Sequence, residues 1–122
     1  MAKILIVEDD LLVSRMYQRA FISEGFNVDL AANGREGLKK AQEGRPDLVL
    51  LDIMMPEMNG LEVLSALKTD EALKAIPVVV LTNLSGTRDA EAAMAKGAAE
   101  YLVKSEYKPR EVVIRVKSHL KS

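Results

Sequence analysis

Apolar residues in this chain fall into short unbroken runs, separated by stretches in which they recur at helical spacing. The first run, Lys3-Ile-Leu-Ile-Val7, is rich in β-branched residues and stops at Glu8-Asp9-Asp10. Phe26 to Ala31 alternates as a strand does, and Leu48–Leu51, Val78–Leu81 and Ala99–Val103 complete the set. Between the runs, Leu11 to Ser23 carries Leu12, Met16 and Ala20 at helical spacing and ends near Gly25. Asn33-Gly-Arg-Glu36 has the form of a capping box, opening a helix that runs to Gly44, and Asn59-Gly-Leu-Glu62 caps another through Leu64 and Leu67. Asp89 to Lys96 is an alanine-rich helix stopped by Gly97, and Pro109 suits the first position of a last helix reaching Leu120.

Five strands alternating with five helices predict an α/β, doubly wound, five-stranded parallel sheet with helices on both faces. The runs LVLL and VVVL are apolar at every position, which suits strands buried on both faces. Right-handed crossovers leave 2-1-3-4-5 as the expected strand order, the flavodoxin-like arrangement.

The 122 residues suffice for one domain, expected over residues 1–122, without staples. The absence of cysteine excludes disulfides and thiolate metal sites. With 17 basic and 18 acidic residues well mixed, the net charge of -1 supports neither a nucleic-acid nor a membrane-binding face. The N-terminal apolar run is too short for a signal peptide, and none approaches the roughly 18 residues of a membrane span. The expectation is a soluble cytoplasmic domain without tail or linker.

In such sheets ligands bind beyond the carboxyl ends of the strands, near the switch in strand order. The first strand ends at Glu8 and Asp9, the third at Asp52, the fourth at Thr82 and the fifth at Lys104. Strands one and three are neighbours in the expected order, so three carboxylates converge and repel unless a cation joins them. All the donors are hard oxygens, which favours Mg2+. Lys104 and Thr82 suit phosphate oxygens, and Asp52 can act as a nucleophile. Taken singly, each acid is more simply a turn cap or a first-turn helix residue. The combination with Thr82 and Lys104 carries the chemistry.

The acidic cluster IVEDD, the stretch LLDIMMPEMNG around Asp52, PVVVLT with Thr82 and GAAEYLVK with Tyr101 and Lys104 together resemble the CheY-like receiver domain of bacterial two-component response regulators. The resemblance implies that Asp52 accepts a phosphoryl group from a sensor histidine kinase or a phosphotransfer protein. It implies that Asp9 ligates Mg2+ directly, Glu8 acts mainly through water, and the Met54 backbone carbonyl is a further ligand. Lys104 would bridge to the phosphoryl group, Thr82 would move towards it, and Tyr101 would turn inward. A downstream protein would then read the face made by the fourth helix, fifth strand and fifth helix, including Lys96 and Tyr101. The resemblance points to a stand-alone phosphoacceptor, either monomeric or a weak phosphorylation-dependent dimer, and not to an enzyme turning over a separate substrate.

Several positions depart from the family pattern. Ser105 stands where a cis proline usually follows the lysine; either strain is stored there or the loop takes another path. Asn83 replaces a small residue after Thr82 and could narrow access or bond the phosphoryl group. Met54 and Leu84, two residues beyond Asp52 and Thr82, are both apolar and predict slow hydrolysis. Met54, Met55 and Met58 otherwise suit loop packing, Tyr101 could cover a sheet edge, and His119 fits a solvated surface position. The rivals are a receiver-like partner-binding domain that is never phosphorylated and an aspartyl-phosphate phosphatase, which would want an acid at Met54. A nucleotide- or flavin-binding domain would want a glycine-rich loop where Glu8-Asp9-Asp10 stands.

Overall fold

The computed structural model describes residues 2–55, 58–83 and 86–120. Strands β1 (Lys3–Val7), β2 (Asn27–Ala31), β3 (Leu48–Leu51), β4 (Val78–Thr82) and β5 (Glu100–Val103) alternate with helices α1 (Leu11–Ser23), α2 (Gly34–Gly44), α3 (Gly60–Thr69), α4 (Thr87–Ala95) and α5 (Pro109–Lys117). The strands form one parallel sheet in the order β2-β1-β3-β4-β5, as the sequence predicts. β3 and β4 are buried at every position, which explains why their runs contain no polar alternation.

Successive side chains point to opposite faces, so each central strand feeds two cores. Leu5, Val7, Val49, Leu51, Val78 and Val80 pack on the side of α2, α3 and α4. Ile4, Ile6, Leu48, Leu50, Val79 and Leu81 pack on the other side against Tyr17 and Phe21 of α1 and three valines of α5. Burying one leucine or isoleucine contributes roughly 1.5–3 kcal/mol, so these strands anchor whatever their tips carry.

The helix starts read from the sequence have their physical cause in place. Asn33 Oδ1 accepts from the Glu36 amide at 2.8 Å and Asn59 Oδ1 from the Glu62 amide at 3.1 Å. The return arm of the first box lands one residue early, with Glu36 Oε1 accepting from the Ala32 amide at 3.3 Å. α4 begins at Thr87, before the expected Asp89, on a Gly86 cap that makes no side-chain bond and so leaves no residue signal. α5 ends at Lys117, short of the expected Leu120.

One helix turns inward a face that its helical spacing does not single out. Leu12 is 82% exposed and Met16 43% exposed, whereas Ser14, Tyr17 and Phe21 are buried. Apolar residues occur all round α1, and its phase follows the two aromatic rings one turn apart, which have the most surface to hide.

Asp52 stands just beyond β3, and its amide donates to the Val7 carbonyl at 3.0 Å. Gly60, at the start of α3, passes directly over this point, its amide donating to the Ile53 carbonyl at 3.2 Å. A Cβ on Gly60 would lie 2.5 Å from the Asp52 carbonyl oxygen. The glycine is thus needed for close approach as well as for helix entry. Gly60→Ala should destabilise the protein by about 2–3 kcal/mol in urea unfolding, with α3 pushed off Asp52.

Candidate functional site

Parallel pairing sets Val7 of β1 opposite Leu51 of β3, so the next residues of the two strands, Glu8 and Asp52, emerge side by side. Glu8 is 5% exposed and Asp52 6% exposed, while Asp9 is exposed. Carboxylate oxygens of Glu8, Asp9 and Asp52 lie within 4.8 Å of one another. Asp10, read in the sequence only as the end of the acidic run, is the cap of α1. Its Oδ1 accepts from the Leu12 amide at 3.0 Å and the Val13 amide at 3.2 Å.

Each buried acid is held by backbone as well as by charge. Glu8 Oε2 accepts from the Asp10 amide at 3.1 Å, and Asp52 Oδ1 from the Met54 amide at 2.9 Å. Lys104 bridges the pair, donating to Asp52 Oδ2 at 3.1 Å and to Glu8 Oε1. Burial opposes the Lys104 charge, but its bond to Glu8 and the charge of Asp52 outweigh that effect and raise its pKa. Burial pushes the Glu8 carboxyl up to about 7, against the lowering pull of Lys104 and the Asp10 amide, with the Asp52 charge adding to the rise.

The Ser105 departure leaves Lys104 within reach. A 3-10 turn over Lys104–Glu106 takes the loop along another path, and no described peptide bond is cis. Thr82 is fully buried at the end of β4, and Asn83 is exposed in the bend that follows. Tyr101 is partly buried and packs on the core beside α3 and α4; burial raises its pKa, and the charges of Asp89 and Asp52 both reach it. Met55 is 8% exposed and Met58 packs against the same core, as expected of loop methionines. Met54 is 53% exposed and offers its amide to Asp52. Leu84 lies outside the described residues.

His119 is not a solvated surface histidine. Its Nε2 lies 2.7 Å from Glu100 Oε1, and Arg115 Nε donates to Glu100 Oε2 at 2.7 Å. The His119 contact joins β5 to the segment after α5, a long-range contact that local spacing cannot show. Tyr17 was likewise missed at the site. It lies behind the acids, and its place in the α1 pattern is that of any core aromatic.

The donor set fits a hard divalent cation. Two buried carboxylates and a third exposed one present oxygens at mutual distances suited to a shared ion, and Lys104 supplies positive charge between the buried two.

The family model described as the response regulator receiver domain matches residues 4–117. The DNA-binding response regulator MtrA of Mycobacterium tuberculosis is 38% identical over 119 residues, which are 98% of this chain and 50% of that protein. The chain therefore spans about half the length of that curated relative. Among solved structures, the chemotaxis protein CheY4 of Vibrio cholerae superposes with a TM-score of 0.92 at 32% identity, covering 98% of this chain and 99% of that one. The Mn2+-bound form of response regulator Rcp1 superposes with a TM-score of 0.84 at 30% identity, covering 97% and 93%. The cluster of Glu8, Asp9 and Asp52 matches the Mg2+-binding phosphoacceptor site of receiver domains. Such domains promote their own phosphorylation and dephosphorylation and do not turn over a separate substrate. No helix among the described residues is long and apolar enough to cross a membrane.

Between the ordinary carboxyl value of 4.5 and about 7, folded Glu8 holds a proton that the unfolded chain has lost. The metal-free protein should therefore lose stability as pH rises through that window, by on the order of 3 kcal/mol. Glu8→Gln should flatten this slope in urea unfolding measured across the same pH range.

Proposed function

Since the chain belongs to the response regulator receiver domain family, we propose that it is a cytoplasmic phosphoacceptor whose Asp52 takes a phosphoryl group from the phosphohistidine of a sensor kinase or phosphotransfer protein. The observation that carries this reading is the fixing of Asp52 between the Met54 amide and Lys104, with Glu8 and Asp9 alongside. An Asp52 carboxylate oxygen bonds to phosphorus as the bond from phosphorus to the donor imidazole nitrogen breaks. Asp9, Asp52 and the Met54 carbonyl would hold Mg2+ directly, with Glu8 acting mainly through water. When bound, the ion neutralises charge on the phosphoryl oxygens.

Lys104 then leaves Glu8 and pairs with the phosphoryl group, while the Thr82 hydroxyl moves towards the same oxygens. Tyr101, already partly buried and within the field of Asp52, completes its inward turn. These contacts bias an equilibrium between two forms of the domain. The altered surface is the face of α4, β5 and α5, where Met94 is 48% exposed and Ile114 61% exposed. A downstream protein reads that face. The similarity to CheY4 across nearly that whole chain supports reading residues 1–122 as one receiver domain, which we take to be monomeric or weakly dimeric when phosphorylated.

The phosphodonor protein must reach Asp52 over its rim. Leu11 and Leu12 follow the Asp10 cap, and Met16 lies one turn on. All are exposed, so this end of α1 presents an apolar patch beside the acids. The non-phosphorylated alternative loses much of its ground because Lys104 reaches Asp52 despite Ser105. The phosphatase alternative still lacks a second acid at Met54.

Intact mass after incubation with a small-molecule phosphodonor should show one phosphoryl adduct that requires both Mg2+ and Asp52, and Asp52→Asn should show none. An unmodified mass, with Mg2+ bound, would favour the partner-binding alternative. The adduct should outlast the seconds scale, because Met54 offers no polar group to an attacking water. Decay within seconds would contradict this. Leu12→Asp should slow phosphorylation by a protein donor about tenfold while leaving the small-molecule reaction unchanged.

A further inference from the structure

Ser14, Tyr17 and Phe21 are the buried residues of α1. Phe21 hides hydrocarbon alone, but Tyr17, only 3% exposed, brings a hydroxyl inside with it. Tyr17 and Ile6, Leu50 and Leu81 line a cavity of about 10 Å³ that Glu8 and Asp52 also line. Such a space admits one water at most. No hydrogen bond joins the Tyr17 hydroxyl to any described residue. Among the described residues no buried side-chain oxygen or nitrogen is fully enclosed without a partner, so the hydroxyl keeps some accessible surface, and Tyr17 shares its small cavity with both buried acids. Burial raises the phenol pKa, and the charges of Lys104 and Glu8 both reach it.

With no described protein partner, the hydroxyl is left to water in this state of the site. The same volume could be filled by a ring without the hydroxyl. Glu8 has the complementary problem in the other state of the site. Its two oxygens are taken by Lys104 and by the Asp10 amide. When Lys104 turns to a phosphoryl group, or yields to a divalent cation, Glu8 Oε1 loses its donor in a nearly enclosed position.

We propose that Tyr17 is a positioning residue of the acid site, whose hydroxyl donates to the Glu8 oxygen that Lys104 vacates, directly or through the one water the cavity admits. The hydroxyl is idle while Lys104 bridges the acids and is engaged once Lys104 leaves. It steadies the Glu8 carboxylate towards the cation without touching the cation or the phosphoryl group. This inference rests on the reading of the acids as a Mg2+ site given above.

The test is direct Mg2+ titration by calorimetry, with thermal unfolding of the metal-free proteins, on the parent chain, Tyr17→Phe, Glu8→Ala and the double variant. Tyr17→Phe should raise the Mg2+ dissociation constant about tenfold or more, the loss expected for a hydrogen bond to a charged group. It should leave the metal-free unfolding midpoint equal or higher, because the idle hydroxyl contributes nothing there. In the Glu8→Ala background, the substitution at Tyr17 should no longer change Mg2+ affinity. Unchanged affinity in Tyr17→Phe overturns the proposal and leaves the Mg2+ site standing. A lowered metal-free midpoint with an undiminished effect in Glu8→Ala assigns Tyr17 to packing and also overturns it. Failure of the parent chain to bind Mg2+ overturns the underlying reading as well.

Discussion

Two carboxylates are carried out of the sheet on adjacent parallel strands, close together and almost out of contact with water. Neither separation nor solvent relieves their repulsion. Lys104, arriving from the far side of β4, supplies the missing charge. The arrangement makes the resting site a closed three-member set in which the two acids, once both are ionised, require a cation whose identity is exchangeable. An ammonium fills the role in the resting protein, and a divalent ion and a phosphoryl group rearrange it in function. Everything else in the domain serves to keep the two acids from moving apart. The all-apolar β3 and β4 are locked on both faces, the Asp52 amide is bonded to the Val7 carbonyl, and α3 presses on Asp52 through Gly60.

Much of the fold was legible because strand burial and helix capping are local. LVLL and VVVL can only be double-sided strands in a chain with this alternation, and Asn33 and Asn59 announce their helices with the side chains that cap them. The start of α4 was misplaced because Gly86 caps through backbone alone. The inward face of α1 was not legible because Leu12 and Met16 are as apolar as the residues that are buried. Only the tertiary competition for space decides in favour of Tyr17 and Phe21.

The candidate site was legible for a related reason: topology converts sequence position into spatial position. The residue after each central strand must lie at the same edge, so Glu8, Asp9, Asp52, Thr82 and Lys104 could be gathered before any coordinates. What escaped were contacts that depend on side-chain reach. Ser105 made the path of Lys104 ambiguous, and the 3-10 turn resolved it. His119 and Glu100 meet across a gap in sequence that no local pattern spans.

That last contact gives the domain a mechanical linkage. Glu100 opens the strand whose later residues are Tyr101 and, just beyond it, Lys104, and it is gripped by Arg115 on α5 and by His119 after it. β5 and α5 are thereby yoked at one end, so a protein that shifts α5 also pulls on the strand leading to Lys104, the partner of Asp52. Thermodynamic reciprocity then applies: a target that prefers the phosphorylated form must, by the same free energy, make the unmodified form readier to be phosphorylated. In the proposed function the receiver is thus addressed from both ends, by the donor that charges it and by the target that would wait for it.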